Sequence, residues 1–304
     1  MKTDWFLIIN PTSGNGKSKK IWKQISDELN TQNIQFSFAF TKYSNHEETL
    51  VKDAIKNGFT KIISVGGDGT LHHIVNGIMS QKFVETNTIQ LAVIPIGTGN
   101  DWVKTYNIPA KIEKSILIIK KGKSVLQDIG KLETENNTTT YFNNVSGIGY
   151  DGYVVSKLKK LKRFGGIAYL LSGLAGLLLY KPVDFIIEIN EKKLQEKCLM
   201  VIFGICKFSG GGMQFTKDIN PSDGLFDITI AKNLTLLDMI LNLPKLYNGK
   251  IVNHKKVTTY KTNSLKVTPV SKTKKPFIQA DGELINSGSV TVSIIEKAIQ
   301  FIVS

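Results

Sequence analysis

Residues 61–77 read Lys-Ile-Ile-Ser-Val-Gly-Gly-Asp-Gly-Thr-Leu-His-His-Ile-Val-Asn-Gly (KIISVGGDGTLHHIVNG). The run Lys61–Val65 is apolar and β-branched, which suits a buried strand. Leu71, Ile74 and Val75 then fall at helical spacing. Gly66, Gly67 and Gly69 make the turn between the two, where glycine lets the backbone approach a ligand closely. A helix opening near Thr70 would offer unpaired N–H groups and its positive dipole end to a phosphate. Asp68 cannot itself bind phosphate. Three roles stay open for it: orienting a nucleophile, holding a metal or positioning a backbone turn.

The surrounding sequence repeats the pattern. Trp5–Asn10, Ile34–Phe40 and Ile89–Ile96 are further short apolar runs, with helical patterns at about 17–30, 45–57 and 70–80. Strand–helix alternation at this spacing predicts right-handed crossovers and a largely parallel sheet. Such sheets bind ligands beyond the carboxyl ends of their strands, which is where the glycine turns fall. From about residue 125 the texture changes to Tyr141–Val145, Phe185–Ile189, Leu199–Ile205, Phe226–Ile230, Ser264–Thr268 and Phe277–Ala280. Short runs separated by polar turns predict an antiparallel sandwich or barrel. A helix-like insert at 153–180 interrupts them, and Glu133–Thr140 reads as a hairpin loop. Residues 1–125, completed by 290–304, are therefore expected to form an α/β domain, and 126–289 a β-rich sandwich domain.

Two other glycine loops follow strands. Pro95-Ile96-Gly97-Thr98-Gly99-Asn100-Asp101 would complement the first loop across a crevice. Ser13-Gly14-Asn15-Gly16-Lys17-Ser18 imitates a P-loop, but Pro11 stands where that motif needs glycine. After Gly67-Asp68-Gly69 the third glycine of a dinucleotide fingerprint is replaced by His72, and after Gly97-Thr98-Gly99 by Trp102. The spacing points to a nucleotide but not to the ordinary dinucleotide motif. Two acidic turns come later. Gln279-Ala280-Asp281-Gly282-Glu283 carries two carboxylates suited to general-base work on an alcohol or to metal binding. Asn220-Pro221-Ser222-Asp223-Gly224-Leu225 could hold a divalent cation through one Asp and turn carbonyls, but the isolated segment reads first as a plain turn.

Asn10–Gly14 (NPTSG), GGDGT, GTGND, Gly147–Gly152 (GIGYDG), Asp223–Asp227 (DGLFD) and the late DGE occur in one order along the chain. In this the chain resembles the diacylglycerol-kinase catalytic-domain family, which includes the sphingosine and ceramide kinases and the soluble bacterial lipid kinases. The resemblance spans essentially the whole chain. It implies an N-terminal Rossmann-like α/β ATP-binding domain and a C-terminal β-sandwich lipid domain, as in the NAD kinase and diacylglycerol kinase fold. It implies ATP contacts at Asn10, Pro11, Thr12, Ser13, Gly14, Thr41, Gly66, Gly67, Asp68, Gly69, Thr70, Thr98 and Asn100. It makes Asp281 and Glu283 the catalytic carboxylates, one taking the proton of the lipid hydroxyl; Asp68 is counted as a third catalytic acid, for the nucleophile-orienting role left open to it above. It places a structural Mg²⁺ at Asp223 with the carbonyls of Asn220 and Leu225. Many relatives carry Asn-Glu where this chain has His72-His73, and the two histidines are expected to be ordinary helix residues.

Composition narrows the remaining choices. The 304 residues are 41% hydrophobic and 21% charged, ordinary globular usage, with a net charge of +14 that favours anionic partners. Two cysteines, Cys198 and Cys206, cannot build a disulfide framework, and Asp4 before the short run Trp5–Ile9 argues against a signal peptide. A cytoplasmic setting is expected. The longest apolar stretch, Ile167–Tyr180, has 14 residues against the roughly 20 that span a bilayer. Ten lysines and one acid, Asp238, lie between 232 and 275, and Lys157, Lys159, Lys160, Lys162 and Arg163 precede the apolar stretch. These clusters predict transient contact with the anionic inner face of a membrane. No nucleic-acid motif accompanies the charge, and a homodimer is left open. The expected function is Mg²⁺-dependent transfer of the ATP γ-phosphate to a lipid hydroxyl. A kinase of NAD type and a nucleotide-binding regulator without catalysis are the alternatives.

Overall fold

A computed structural model describes residues 2–97, 100–158, 176–177, 179–216, 219–271, 273 and 275–304. It divides into two compact units, Met1–Ile129 with Glu296–Ser304, and Gly130–Ile295.

In the first unit the predicted apolar runs become parallel strands β1 (Lys2–Ile9), β2 (Phe36–Phe40), β3 (Phe59–Gly66) and β4 (Gln90–Pro95). Strand order is β4-β3-β1-β2, with Gln300 and Phe301 of the long C-terminal strand pairing parallel to Gln90 and Leu91. The helical pattern at 17–30 is interrupted at Ile21, giving α1 (Lys17–Lys20) and α2 (Trp22–Thr31). Helices α3 (His46–Lys56) and α4 (Asp68–Ser80) follow, α4 opening two residues earlier than Thr70. Two helices lay outside the expectation: α5 (Trp102–Thr105) and α6 (Ile112–Lys121). Ile25 and Leu29 of α2 and Ile116 and Ile119 of α6 form one core with Leu7, Ile9, Ile63, Val65 and Ile94 of the sheet. Each such side chain taken out of water contributes about 1.5–3 kcal/mol. That packing fixes the strand ends, from which the glycine loops emerge.

The second unit is built of antiparallel ladders. After β5 (Ser124–Thr134) the Glu133–Thr140 hairpin is formed, with Glu133 opposite Thr139. The run Tyr141–Val145 is two strands, β6 (Thr139–Phe142) and β7 (Val145–Gly149), broken at Asn143-Asn144. Helix α7 (Tyr150–Leu158) opens the expected 153–180 insert; residues 159–175, which include four of the five cations preceding the apolar stretch, lie outside the described residues. Next come β8 (Val183–Ile189), β9 (Lys192–Gly204), β10 (Phe226–Lys232), α8 (Leu236–Leu241), α9 (Leu243–Tyr247), β11 (Val257–Thr262), β12 (Ser264–Pro269), β13 (Phe277–Ala280), β14 (Glu283–Ser287) and β15 (Val290–Ile302). The order is β14-β13-β7-β9-β8-β12-β15, with β10 joining β9 to β11. The N-terminal half of β9 pairs with β8, and its C-terminal half runs between β7 and β10. Among the described residues no helix is long and apolar enough to cross a membrane.

Candidate functional site

Asn10, directly after β1, organises the first unit's loops. Its Nδ2 donates to Thr70 Oγ1 at 3.1 Å and to Glu47 Oε1 at 3.3 Å, while its Oδ1 accepts from the Thr12 N–H (3.1 Å) and hydroxyl (2.8 Å). The NPTSG loop is thereby tied to the first turn of α4. Glu47 is nearly fully buried, and burial pushes its carboxyl above the ordinary range. A Cβ at Gly66 would stand 2.5 Å from Thr70 Oγ1, so glycine is required for this turn. Thr41 is buried after β2, its N–H donating to Ile9 O at 2.9 Å.

Asp68 joins the second and third loops. Its Oδ2 accepts the Asp101 N–H at 2.9 Å and its Oδ1 the Trp102 N–H at 3.4 Å. Of the three roles left open by the sequence, the geometry favours positioning. Trp102 anchors the far end of that link: it is fully buried, donates through Nε1 to Gln127 Oε1 at 3.0 Å, and meets the Phe301 ring at a tilt, centroids 4.7 Å apart. Asn100 packs over the loop glycines, its Oδ1 3.4 Å from where a Gly67 Cβ would be. Thr98 and Gly99 lie outside the described residues. Asn10 is thus tied to Thr70 and Asp68 to Asp101, and the first N–H groups of α4, a helix of 13 residues, lack intrahelical acceptors. His73 meets Glu48 at 3.1 Å and holds that carboxyl below its usual range, while buried His72 lies against Asn76 on its own helix.

The second unit carries the acidic turn. Asp281 sits at φ +50° between β13 and β14. Its Oδ1 accepts the N–H groups of Asn144 (3.0 Å) and Val145 (3.2 Å), its Oδ2 that of Asn143 (3.1 Å), and its own N–H donates to Val145 O at 2.9 Å. The carboxylate thus satisfies the backbone where β6 and β7 separate. Glu283 begins β14, opposite Ala280, and is partly exposed. Sequence reasoning missed the support behind the turn. Gln279 Oε1 accepts the Gly282 N–H at 2.8 Å, and its Nε2 donates to Asp151 in the first turn of α7. The Asp151 carboxyl is enclosed; a Cβ at Gly147 would lie 2.5 Å from its Oδ2. Burial pushes it up to about 6, the Gln279 N–H acting in the opposite sense. The GIGYDG motif was the available signal.

The turn at 220–225 does not fit the expected Mg²⁺. Asp223 Oδ1 accepts the Leu225 N–H at 3.1 Å, its Oδ2 lies 3.1 Å from the Lys261 ammonium, and Asn220 Oδ1 accepts the Ser222 N–H at 3.2 Å. Among the described residues no three His, Cys, Asp or Glu side chains group as metal ligands. Nearby in sequence, α8 exposes Leu237, Ile240 and Leu241 along one face at i, i+3 and i+4. Lys245, Lys250 and Lys255 are exposed in the segment that follows, whereas Asp238 is neutralised by Lys256 at 2.5 Å.

Comparison with known proteins bears out the fold class. Residues 4–132 match the diacylglycerol kinase catalytic domain, and residues 144–303 match the YegS C-terminal NAD kinase beta sandwich-like domain. The chain is 30% identical over 284 residues to a diacylglycerol kinase of Bacillus subtilis, covering 91% of this chain and 88% of that one. It is 27% identical over 263 residues to a diacylglycerol kinase of Staphylococcus carnosus, covering 86% and 83%. A crystal structure of a diacylglycerol kinase from Bacillus anthracis superposes with a TM-score of 0.74 at 19% identity, over 99% of this chain and 97% of that one, a likeness of fold.

Proposed function

The chain belongs to the diacylglycerol kinase catalytic-domain family, and from that premise we propose that it is an ATP-dependent lipid kinase, phosphorylating a hydroxyl of diacylglycerol or a related lipid alcohol. The observation that carries this reading is the Asp281-Gly282-Glu283 turn, held in one conformation by backbone N–H groups and by Gln279. A regulator without catalysis would need no second acid beside Asp281, yet Glu283 stands there partly exposed.

In this reading the loops Asn10–Gly14, Gly66–Thr70 and Thr98–Asn100, with Thr41, hold the nucleotide. Backbone N–H groups and the N-terminus of α4 face its phosphates. Mg²⁺ accompanying the triphosphate would offset its charge. Asp68 is a positioning residue that joins two of these loops. Glu283 takes the proton of the acceptor hydroxyl, whose oxygen forms a bond to the γ-phosphorus. The bond from that phosphorus to the bridging oxygen breaks, and ADP leaves with the electron pair. Asp281 is a positioning residue for Glu283, because its own carboxylate is engaged with residues 143–145. Phosphoryl transfer depends mainly on positioning and charge, so no covalent intermediate is required.

A lipid acceptor resides in a bilayer, and the exposed Leu237, Ile240 and Leu241 with lysines nearby suit shallow docking of a cytoplasmic enzyme on an anionic surface. Incubating the protein with MgATP and anionic vesicles containing diacylglycerol should yield ADP and phosphatidic acid in equal amounts. ADP without a phosphorylated lipid, or NADP formed when NAD is supplied, would overturn the lipid assignment.

A further inference from the structure

The resemblance places a divalent metal at Asp223, yet a side chain of this chain already supplies positive charge there. Asp227 and Lys261 stand directly opposite each other in the β10–β11 ladder, so sheet register fixes their approach. The Lys261 ammonium lies 3.3 Å from Asp227 Oδ2 and 3.1 Å from Asp223 Oδ2. Asp227 is only 5% exposed, and a buried carboxylate persists in ionised form when it is paired. From this arrangement we propose that Lys261 is the resident cation of the Asp223 turn and sets its conformation in place of a structural divalent metal.

The chemistry of the alternatives agrees. Magnesium demands near-octahedral oxygen ligands at about 2.0–2.1 Å. Here both Asp223 carboxylate oxygens are met by N–H donors, and the Asn220 carbonyl accepts the Asp223 N–H at 3.4 Å. A divalent ion at Asp223 would also have to sit against the ammonium, whose own electrostatic repulsion opposes it. In a chain lacking the ammonium, the same two carboxylates would welcome such an ion.

The test measures metal and stability rather than turnover, so it is independent of the kinase reading and of Mg²⁺ brought by ATP. The chelator-treated protein is assayed for metal content, for Mn²⁺ binding by electron paramagnetic resonance without nucleotide, and for its melting temperature with and without millimolar Mg²⁺ or Ca²⁺. We expect no stoichiometric metal, no Mn²⁺ site at Asp223 and an unchanged melting temperature. Lys261→Met should lose about 4 °C or more, regain most of it in Mg²⁺ or Ca²⁺, and acquire one Mn²⁺ site that Asp223→Asn removes. A tightly held metal in the native protein, or a native Mn²⁺ site abolished by Asp223→Asn, overturns the proposal. So does a Lys261→Met protein whose stability is indifferent to metal. If Lys261→Met fails to fold, the native-protein measurements decide.

Discussion

The carboxylate of Asp68, in the loop after β3, accepts the backbone N–H of Asp101, in the loop after β4, at 2.9 Å. One charged hydrogen bond therefore sets the spacing of two glycine loops whose own residues have little side chain to hold them. Charge-assisted bonds of this kind contribute about 1.5–3 kcal/mol when partly buried. Asp68→Ala is expected to lower the melting temperature by a few degrees and to weaken ATP binding about tenfold or more. Calorimetric titration with ATP checks it; native affinity in the variant would remove Asp68 from the positioning role.

Asp281 satisfies three consecutive backbone N–H groups across the break between β6 and β7. Asp281→Asn exchanges one accepting oxygen for a donor and leaves an N–H without its partner, a loss of about 2–3 kcal/mol. Lower stability and lower turnover should appear together, with the ATP Kd unchanged. Full stability with lost turnover would instead make Asp281 a direct participant in proton transfer.

Asp151 carries a pH prediction. Its carboxyl titrates at about 6 in the folded protein against 3.8 as its ordinary value. A raised carboxyl affinity means the folded state holds a proton that the unfolded state has released, over the window between these two values. The contribution to stability is complete below about 3.8 and is lost as pH rises through about 6. Asp151→Asn should therefore flatten the stability profile between pH 4 and 6 and raise the melting temperature at pH 7. Denaturant unfolding across this range measures it; an unaltered slope would contradict the assignment.

Leu237, Ile240 and Leu241 are 64%, 49% and 69% exposed. Changing all three to serine should leave the melting temperature nearly unchanged, since exposed positions outside special features contribute within about 0.5 kcal/mol. Binding to anionic vesicles, followed by sedimentation, should fall about tenfold or more. Equal sedimentation of variant and native protein would remove α8 from the membrane contact.

The glycine loops were legible because their signal is local: strand, glycine turn and helix are adjacent in sequence, and Lys61–Val75 alone carries all three. What escaped depends on contacts across long stretches of chain. Nothing local says that Asp68 reaches Asp101, or that Asp281 reaches back to Asn143 across 138 positions. The Gln279 link between Gly282 and Asp151 is equally invisible, because glutamine has no fixed local signature. Tyr141–Val145 reads as one strand until its two asparagines are seen to part it and face Asp281. The DGLFD motif suggested a cation at Asp223, but nothing local says that Lys261 approaches it, since that depends on the register of β10 against β11.

Phosphoryl transfer to a lipid hydroxyl with Glu283 as the base can be measured with labelled ATP and Mg²⁺. Acceptors would be micellar diacylglycerol, monoacylglycerol, phosphatidylglycerol, sphingosine, ceramide and undecaprenol, with NAD in parallel. The native protein should label one of the lipids, and Glu283→Gln should lose about 10²–10⁴-fold in rate while still binding ATP. Label appearing in NADP, no labelled product from a protein that binds ATP, or a Glu283→Gln rate equal to the native one would contradict it.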